Sequence, residues 1–286
     1  MSALRVLVLD GNVPEIRARQ VAAVGYDAGH GYARVLGRIV PDLRCDVIYA
    51  ADADPGLPPG VTIADYDGAA ITGSALSVCD PTPEVTRQIE LARAVFAAGV
   101  PLFGSCWGLQ VAVTAAGGVV EQNPRGREFG YARRIELSPE GRIHPMFDGK
   151  PAVFESGTVH RDSIRALPTG ATALAHNEMG LQAAGFVHGR GEFWGVQYHP
   201  EYDPIDVAAA ASRYAATLVA DGIFADAAAV DAFVADLQLL HAQPQNRALL
   251  WKYGLGPAIQ NPSLRIRELA NWINVQVLPG AGRSRL

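Results

Sequence analysis

The chain has 286 residues, 49% of them hydrophobic and 19% charged, with a formal net charge of −5. That is ample for one large core, no run approaches the roughly 20 apolar residues of a membrane span, and only two lysines, Lys150 and Lys252, are present, so nucleic acid and membrane surfaces have no electrostatic support as partners. Three cysteines, at 45, 79 and 106, make no disulfide framework and fit a reducing, cytoplasmic setting.

In chain order, Leu4–Leu9 reads as a buried strand rather than a signal peptide. Val13–Val24 and Tyr32–Val40 read as helices, and Arg44–Tyr49 and Gly68–Ile71 as the next strands. Thr82-Pro83 caps a helix that Gly99 stops near Ala98, and a strand follows over 100–103. Residues 119–137 and 151–187 look β-rich and broken by turns; a strand over 193–198 precedes a helix capped at Asp203-Pro204 and running to about Ala220. Strands alternating with helices predict an α/β fold, a parallel sheet covered on both faces. Beyond residue 220, Val230, Phe233, Val234, Leu237 and Leu240 recur at helical spacing, and Asn261-Pro262 opens a helix with Leu264, Leu269, Trp272 and Ile273 inward. The division expected is 1–220 for the main domain and 221–286 for a small helical extension. That extension covers core, forms a homo-oligomer or partner interface, or rims a site.

The most informative stretch is Gly104-Ser105-Cys106-Trp107-Gly108, between the strand at 100–103 and a helix-like run from Leu109. G-x-C-x-G is the cysteine counterpart of the nucleophile elbow, a sharp strand-to-helix turn that presents one side chain at the top of a sheet. The helix N-terminus favours a thiolate and offers N–H groups to an oxyanion. A buried structural cysteine is the other reading of this motif, and a second motif weighs against it. That motif ends the run FWGVQYHPE at His199-Pro200-Glu201, where residues two apart share a strand face and Pro200 marks the strand's end. A thiol needs a base and the base needs an acceptor to orient it, which Cys106, His199 and Glu201 supply.

These motifs resemble those of class I glutamine amidotransferases of the Cys-His-Glu type, and most closely the glutaminase domain of GMP synthetases. GSCWGLQ (104–110), HPE (199–201) and REFGYA (127–132) carry the resemblance, which spans roughly residues 4 to 220. It implies a flavodoxin-like central sheet with an antiparallel excursion, and no cofactor or metal. It also implies a small γ-glutamyl amide substrate hydrolysed through a thioester, and oxyanion donors at the backbone of Trp107 and Ser74. The loop that reads S-G-G-P-x-S in the family is Thr72-Gly73-Ser74-Ala75-Leu76-Ser77 here, so Ser74 and Ala75 replace a Gly and a Pro. A donor at Ser74 then requires a φ that a residue with a Cβ tolerates. Gly73, Gln110, His160, Arg161 and Asp162 are the implied substrate-binding residues, with a plain loop hydrogen-bond pair as the alternative for His160 and Asp162. No S-G-G-x-D-S phosphate loop follows residue 204. The resemblance therefore leaves three readings: a glutaminase serving a synthetase or ammonia-acceptor subunit, a stand-alone γ-glutamyl amide hydrolase of amine catabolism, and a non-catalytic binding module.

Overall fold

The computed structural model of the chain describes residues 4–281. Its main sheet has nine strands in the order β2-β1-β3-β4-β11-β10-β9-β6-β7. The strands are β1 (Arg5–Asp10), β2 (Arg44–Tyr49), β3 (Gly68–Ile71), β4 (Leu102–Ser105), β5 (Val119–Gln122), β6 (Glu128–Leu137), β7 (Val153–His160), β8 (Asp162–Ala166), β9 (Thr172–Asn177), β10 (Gly180–His188) and β11 (Gly191–Val196). The run β2-β1-β3-β4-β11 is parallel throughout, and β10, β9, β6 and β7 continue it as antiparallel neighbours. The parallel part has the flavodoxin-like order 2-1-3-4-5, in which ligands sit at the carboxyl ends of the strands. A separate antiparallel pair, β5 with β8, flanks it.

The helices are α1 (Pro14–Val24), α2 (Ala28–Ile39), α3 (Pro83–Ala98), α4 (Trp107–Ala115), α5 (Pro139–Ile143), α6 (Pro204–Ala220), α7 (Ala227–Ala242) and α8 (Arg247–Lys252). Their starts follow local chemistry. Thr82 caps α3 and Asp203 caps α6 through side-chain acceptors, with proline in the first turn of each. The helix expected from Tyr32 begins four residues earlier, because the Asp27 side chain accepts from the His30 N–H and caps it there.

Alternation along the strands divides the core. Val6 and Val8 pack with Ala70, Phe103, Trp194 and α2 on one face, whereas Leu7, Leu9, Ile71 and Leu102 pack with α3 and α4 on the other. Leu269, Trp272, Ile273 and Val277 lie in the first of these clusters, with Trp272 against Phe103 at 5.8 Å between ring centroids. The stretch after residue 220 thus covers part of one sheet face. It also builds a third cluster, in which Val230, Phe233, Leu237 and Leu240 of α7 meet Val207 and Ala211 of α6. Its last part is not one helix from Asn261 but short turns, Pro262–Arg265, Arg267–Trp272 and a π turn at Ile273–Val277. Among the described residues, no helix is long and apolar enough to cross a membrane.

Candidate active site

β4 runs two residues further than expected, to Ser105, and α4 begins at Trp107, so the whole reversal falls on Cys106. Cys106 has φ +52° and ψ −101°, a left-side conformation that a residue with a Cβ adopts only under strain. Its N–H donates to Val196 O at 2.7 Å, which ties the elbow to the end of β11. The flanking glycines are a packing requirement. A Cβ on Gly104 would come within 2.5 Å of the Gly108 carbonyl carbon, and one on Gly108 within 2.4 Å of Ile71 O.

β11 stops at Val196, short of the expected 198, and this changes the reason His199 and Glu201 meet. They do not share a strand face by alternation. The chain turns at Pro200: the His199 N–H donates to Gly157 O, and the Tyr202 N–H donates back to His199 O. The turn sets Glu201 Oε1 2.7 Å from His199 Nδ1. His199 is buried and stacks on Tyr202 at 3.9 Å between centroids; the Cys106 sulfur lies near enough to favour its charged form, and the thiol itself reaches Val159 O at 3.5 Å. Burial alone would push the imidazolium down. The Glu201 carboxylate and the Cys106 sulfur outweigh that and hold His199 up at about 10.

Of the oxyanion candidates, Trp107 follows Cys106 in the chain and Ser74 lines the same cleft as Cys106. Trp107 is the first residue of α4, so its N–H has no acceptor within the helix. Its indole is buried, with Nε1–H donating to Gln88 Oε1 at 2.7 Å. In the loop after β3, the Ala75 N–H donates to Asn12 Oδ1 and the Leu76 N–H to Ser74 Oγ, while Ser74 Oγ–H donates to Gly11 O at 2.7 Å. Cys106 and Arg134 are the non-glycine residues with positive φ among those described, so Ser74 sits where a Cβ is tolerated.

Cys106 opens into a cleft of about 190 Å³ whose walls include Ser74, Ser77, Gln110, Arg127, Arg161 and Tyr214. Asp162, also in the wall, joins its parts. Its carbonyl accepts from Gln110 Nε2 on the elbow helix and from His160 Nδ1, and its carboxylate accepts from Ser77 Oγ at 2.6 Å. His160 and Asp162 are therefore a loop hydrogen-bond pair that also faces the cleft. Behind it, His160 Nε2 meets Glu128 Oε2 at 2.8 Å, in a buried network with Gln182 and Asn177. Gly73 lies under the His199 ring rather than in the cleft wall: a Cβ there would stand 2.5 Å from Cε1. Arg161 is half exposed and reaches Asp221 at 3.7 Å.

Several groups at the site escaped sequence reasoning. Arg127 lies within the REFGYA stretch, yet its place in the cleft, paired with Asp221 at 2.8 Å, depends on the end of α6. Tyr214, on α6, carried no local signal. Ser105 sat inside the elbow motif and donates to Glu201 Oε2 at 3.0 Å. A polar residue two along from the core residue Phe103 was the available clue.

The glutamine amidotransferase class-I family model matches residues 26–207. A Pseudomonas gamma-glutamyl-L-1-hydroxyisopropylamide hydrolase is 34% identical over 99% of this chain and 96% of its own length. The glutamine-hydrolyzing GMP synthase of Streptomyces coelicolor is 32% identical over 61% of this chain but only 31% of the synthase. Among solved structures, a glutamine amidotransferase from Thermotoga maritima superposes with a TM-score of 0.65 over 97% of this chain and 99% of that one, at 18% identity, a likeness of fold. With the elbow cysteine and its histidine–glutamate pair at the carboxyl end of a five-stranded parallel run, the chain belongs to the class I glutamine amidotransferase family.

Proposed function

We propose that this protein hydrolyses the γ-amide of a γ-glutamyl compound through a thioester on Cys106 and releases an amine larger than ammonia. The observation that carries the chemistry is the buried contact chain Cys106–His199–Glu201 on a strained elbow. Cys106 Sγ attacks the γ-carbonyl carbon as a thiolate paired with the His199 imidazolium, and Glu201 stabilises that imidazolium. The Trp107 and Ser74 N–H groups receive the oxyanion. As the tetrahedral intermediate collapses, the C–N bond breaks, His199 gives its proton to the departing amine, and the γ-glutamyl thioester remains. Water then attacks the thioester carbon with His199 as base, the C–S bond breaks, and free glutamate leaves as Cys106 regains its proton. Asp162, Arg127 and Arg161 supply opposite charges for the α-ammonium and α-carboxylate of the γ-glutamyl head.

The choice of a larger amine rests on the Pseudomonas hydrolase, whose likeness runs the length of both proteins. The exchange of the family's Gly-Pro step for Ser74-Ala75 supports it by altering the wall beside the leaving nitrogen. The GMP synthase matches favour a second reading, in which glutamine is the substrate and a synthetase takes up the ammonia. The test is amine release by the purified chain, without ATP, from glutamine and a series of γ-glutamyl alkylamides and hydroxyalkylamides. Cleavage of at least one bulkier amide is expected. Cleavage of glutamine alone, and only on addition of a synthetase, would replace the first reading by the second.

A further inference from the structure

The triad uses one oxygen of Glu201 and leaves the other to be accounted for. Oε1 meets His199 Nδ1, and Oε2 accepts the Ser105 hydroxyl at 3.0 Å. Ser105 Oγ in turn lies 3.2 Å from Tyr32 OH. A serine hydroxyl carries one hydrogen. With that hydrogen on the carboxylate, the Tyr32 phenol must be the donor in the second contact. The chain then has one direction: Tyr32 O–H to Ser105, Ser105 O–H to Glu201, Glu201 to His199 N–H.

Tyr32 comes from α2, Ser105 from the end of β4, and Glu201 from the turn after β11, and the contacts span 73 and 96 residues of sequence. Ser105 is fully buried and Tyr32 and His199 are 1% exposed. A buried carboxylate oxygen that loses its donor is left poorly satisfied and free to turn. Burial and the Glu201 charge both keep the Tyr32 phenol protonated, as a donor must be.

We propose that Ser105 and Tyr32 are positioning residues that hold Glu201 in one orientation, so that the working unit is a chain of five groups rather than a triad. The proposal rests on the hydrolase reading for its role in turnover, but its geometry is testable without a substrate.

The experiment compares Ser105→Ala and Tyr32→Phe, each alone and combined with Glu201→Gln. Two readouts are taken: kcat and KM on the best γ-glutamyl amide, and the rate of Cys106 alkylation by iodoacetamide from pH 5 to 9. Loss of one hydrogen bond to a charged group predicts a roughly 10- to 100-fold fall in kcat for Ser105→Ala, with KM changed less than about threefold. Alkylation should slow in Ser105→Ala relative to the wild type, because the thiolate depends on the imidazolium beside it. Tyr32→Phe should act in the same direction and less strongly, because Ser105 keeps its own hydrogen. In the Glu201→Gln background both further losses should vanish, the mark of action through one group. Wild-type kcat and alkylation in folded Ser105→Ala overturn the proposal, as does a loss that persists undiminished beside Glu201→Gln. If Ser105→Ala does not fold, Tyr32→Phe, which removes a single oxygen, decides alone by the same criteria. If the wild-type chain cleaves no γ-glutamyl amide, the hydrolase reading fails, and the alkylation series still decides the positioning chain.

Discussion

Cys106 combines reactivity with strain. At φ +52° and ψ −101° it holds a conformation suited to glycine, and the cost is carried by the glycine packing around it. Two substitutions separate the two properties. Cys106→Ala and Cys106→Gly should both abolish turnover, yet the glycine variant should be the more stable by about 1 kcal/mol, because only it relaxes the backbone. Equal stability in chemical denaturation would mean that the turn is not strained; residual turnover in either would remove Cys106 as nucleophile. His199 gives a second prediction at this scale. Held at about 10 in the folded chain against an ordinary value of 6.5, it binds its proton more tightly when folded. Its stabilising contribution is complete below pH 6.5 and is lost as the pH climbs to about 10. Denaturant midpoints should fall across that window, and more steeply in the wild type than in Glu201→Gln, where the main raising charge is gone. Parallel curves would show that Glu201 does not hold the imidazolium charged.

The elements set the precision of the site through close approach of backbone to backbone and backbone to ring. Gly108 meets the carbonyl of Ile71, which β3 fixes, so a Cβ there has nowhere to go. Gly73 meets the His199 ring, which Tyr202 and Glu201 hold in place. Gly108→Ala should therefore cost stability, of the order of 1–3 kcal/mol or more. Gly73→Ala should cost less stability than Gly108→Ala, because its obstacle is a side chain rather than backbone, and should lower kcat by displacing the base. A Gly73→Ala enzyme with wild-type turnover would show that the ring's placement is not critical. Position 74 acts differently. Its side chain anchors the loop to Gly11 O, so Ser74→Ala should loosen the proposed oxyanion donor and reduce kcat more than KM, while an unchanged kcat would move that donor elsewhere.

At the scale of the whole molecule, the C-terminal stretch is joined to the site through a buried ion pair. Lys150 Nζ and Glu268 Oε2 are 2.8 Å apart with side chains 1% and 0% exposed, and Glu268 Oε1 accepts the Tyr198 hydroxyl at 2.6 Å, one residue before His199. Desolvation pulls the Lys150 ammonium down, and the Glu268 charge opposes it. Removing one partner leaves the other charge buried and unpaired. Glu268→Gln should therefore destabilise by about 3–5 kcal/mol, whereas Lys150→Met with Glu268→Leu should recover most of the loss. Denaturation of the three variants checks this; a double variant as weak as the single one would assign the loss to packing and to the Tyr198 hydroxyl instead of to charge.

Sequence alone determined what local chemistry dictates. The elbow was legible because its glycines, its apolar strand and its helix are adjacent in the chain, and a sharp turn admits few residue types. Helix starts at Thr82 and Asp203 were legible because a cap is a contact within a few residues. His199 and Glu201 were paired correctly as neighbours but for the wrong reason: whether a strand runs on to residue 201 depends on the partner it meets, and here a bridge to Gly157 and a turn replace it. The Asp27 cap that starts α2 early, and the division of the last stretch into short turns, depend on side-chain contacts that periodicity does not record. The remainder belongs to tertiary structure alone. Ser105 and Tyr32 behind Glu201, Arg127 held by Asp221, Tyr214 in the cleft wall and Glu268 on the Tyr198 hydroxyl each act across a contact of long sequence separation. No propensity or spacing encodes such a contact, because it exists only once the sheet order has brought its elements side by side.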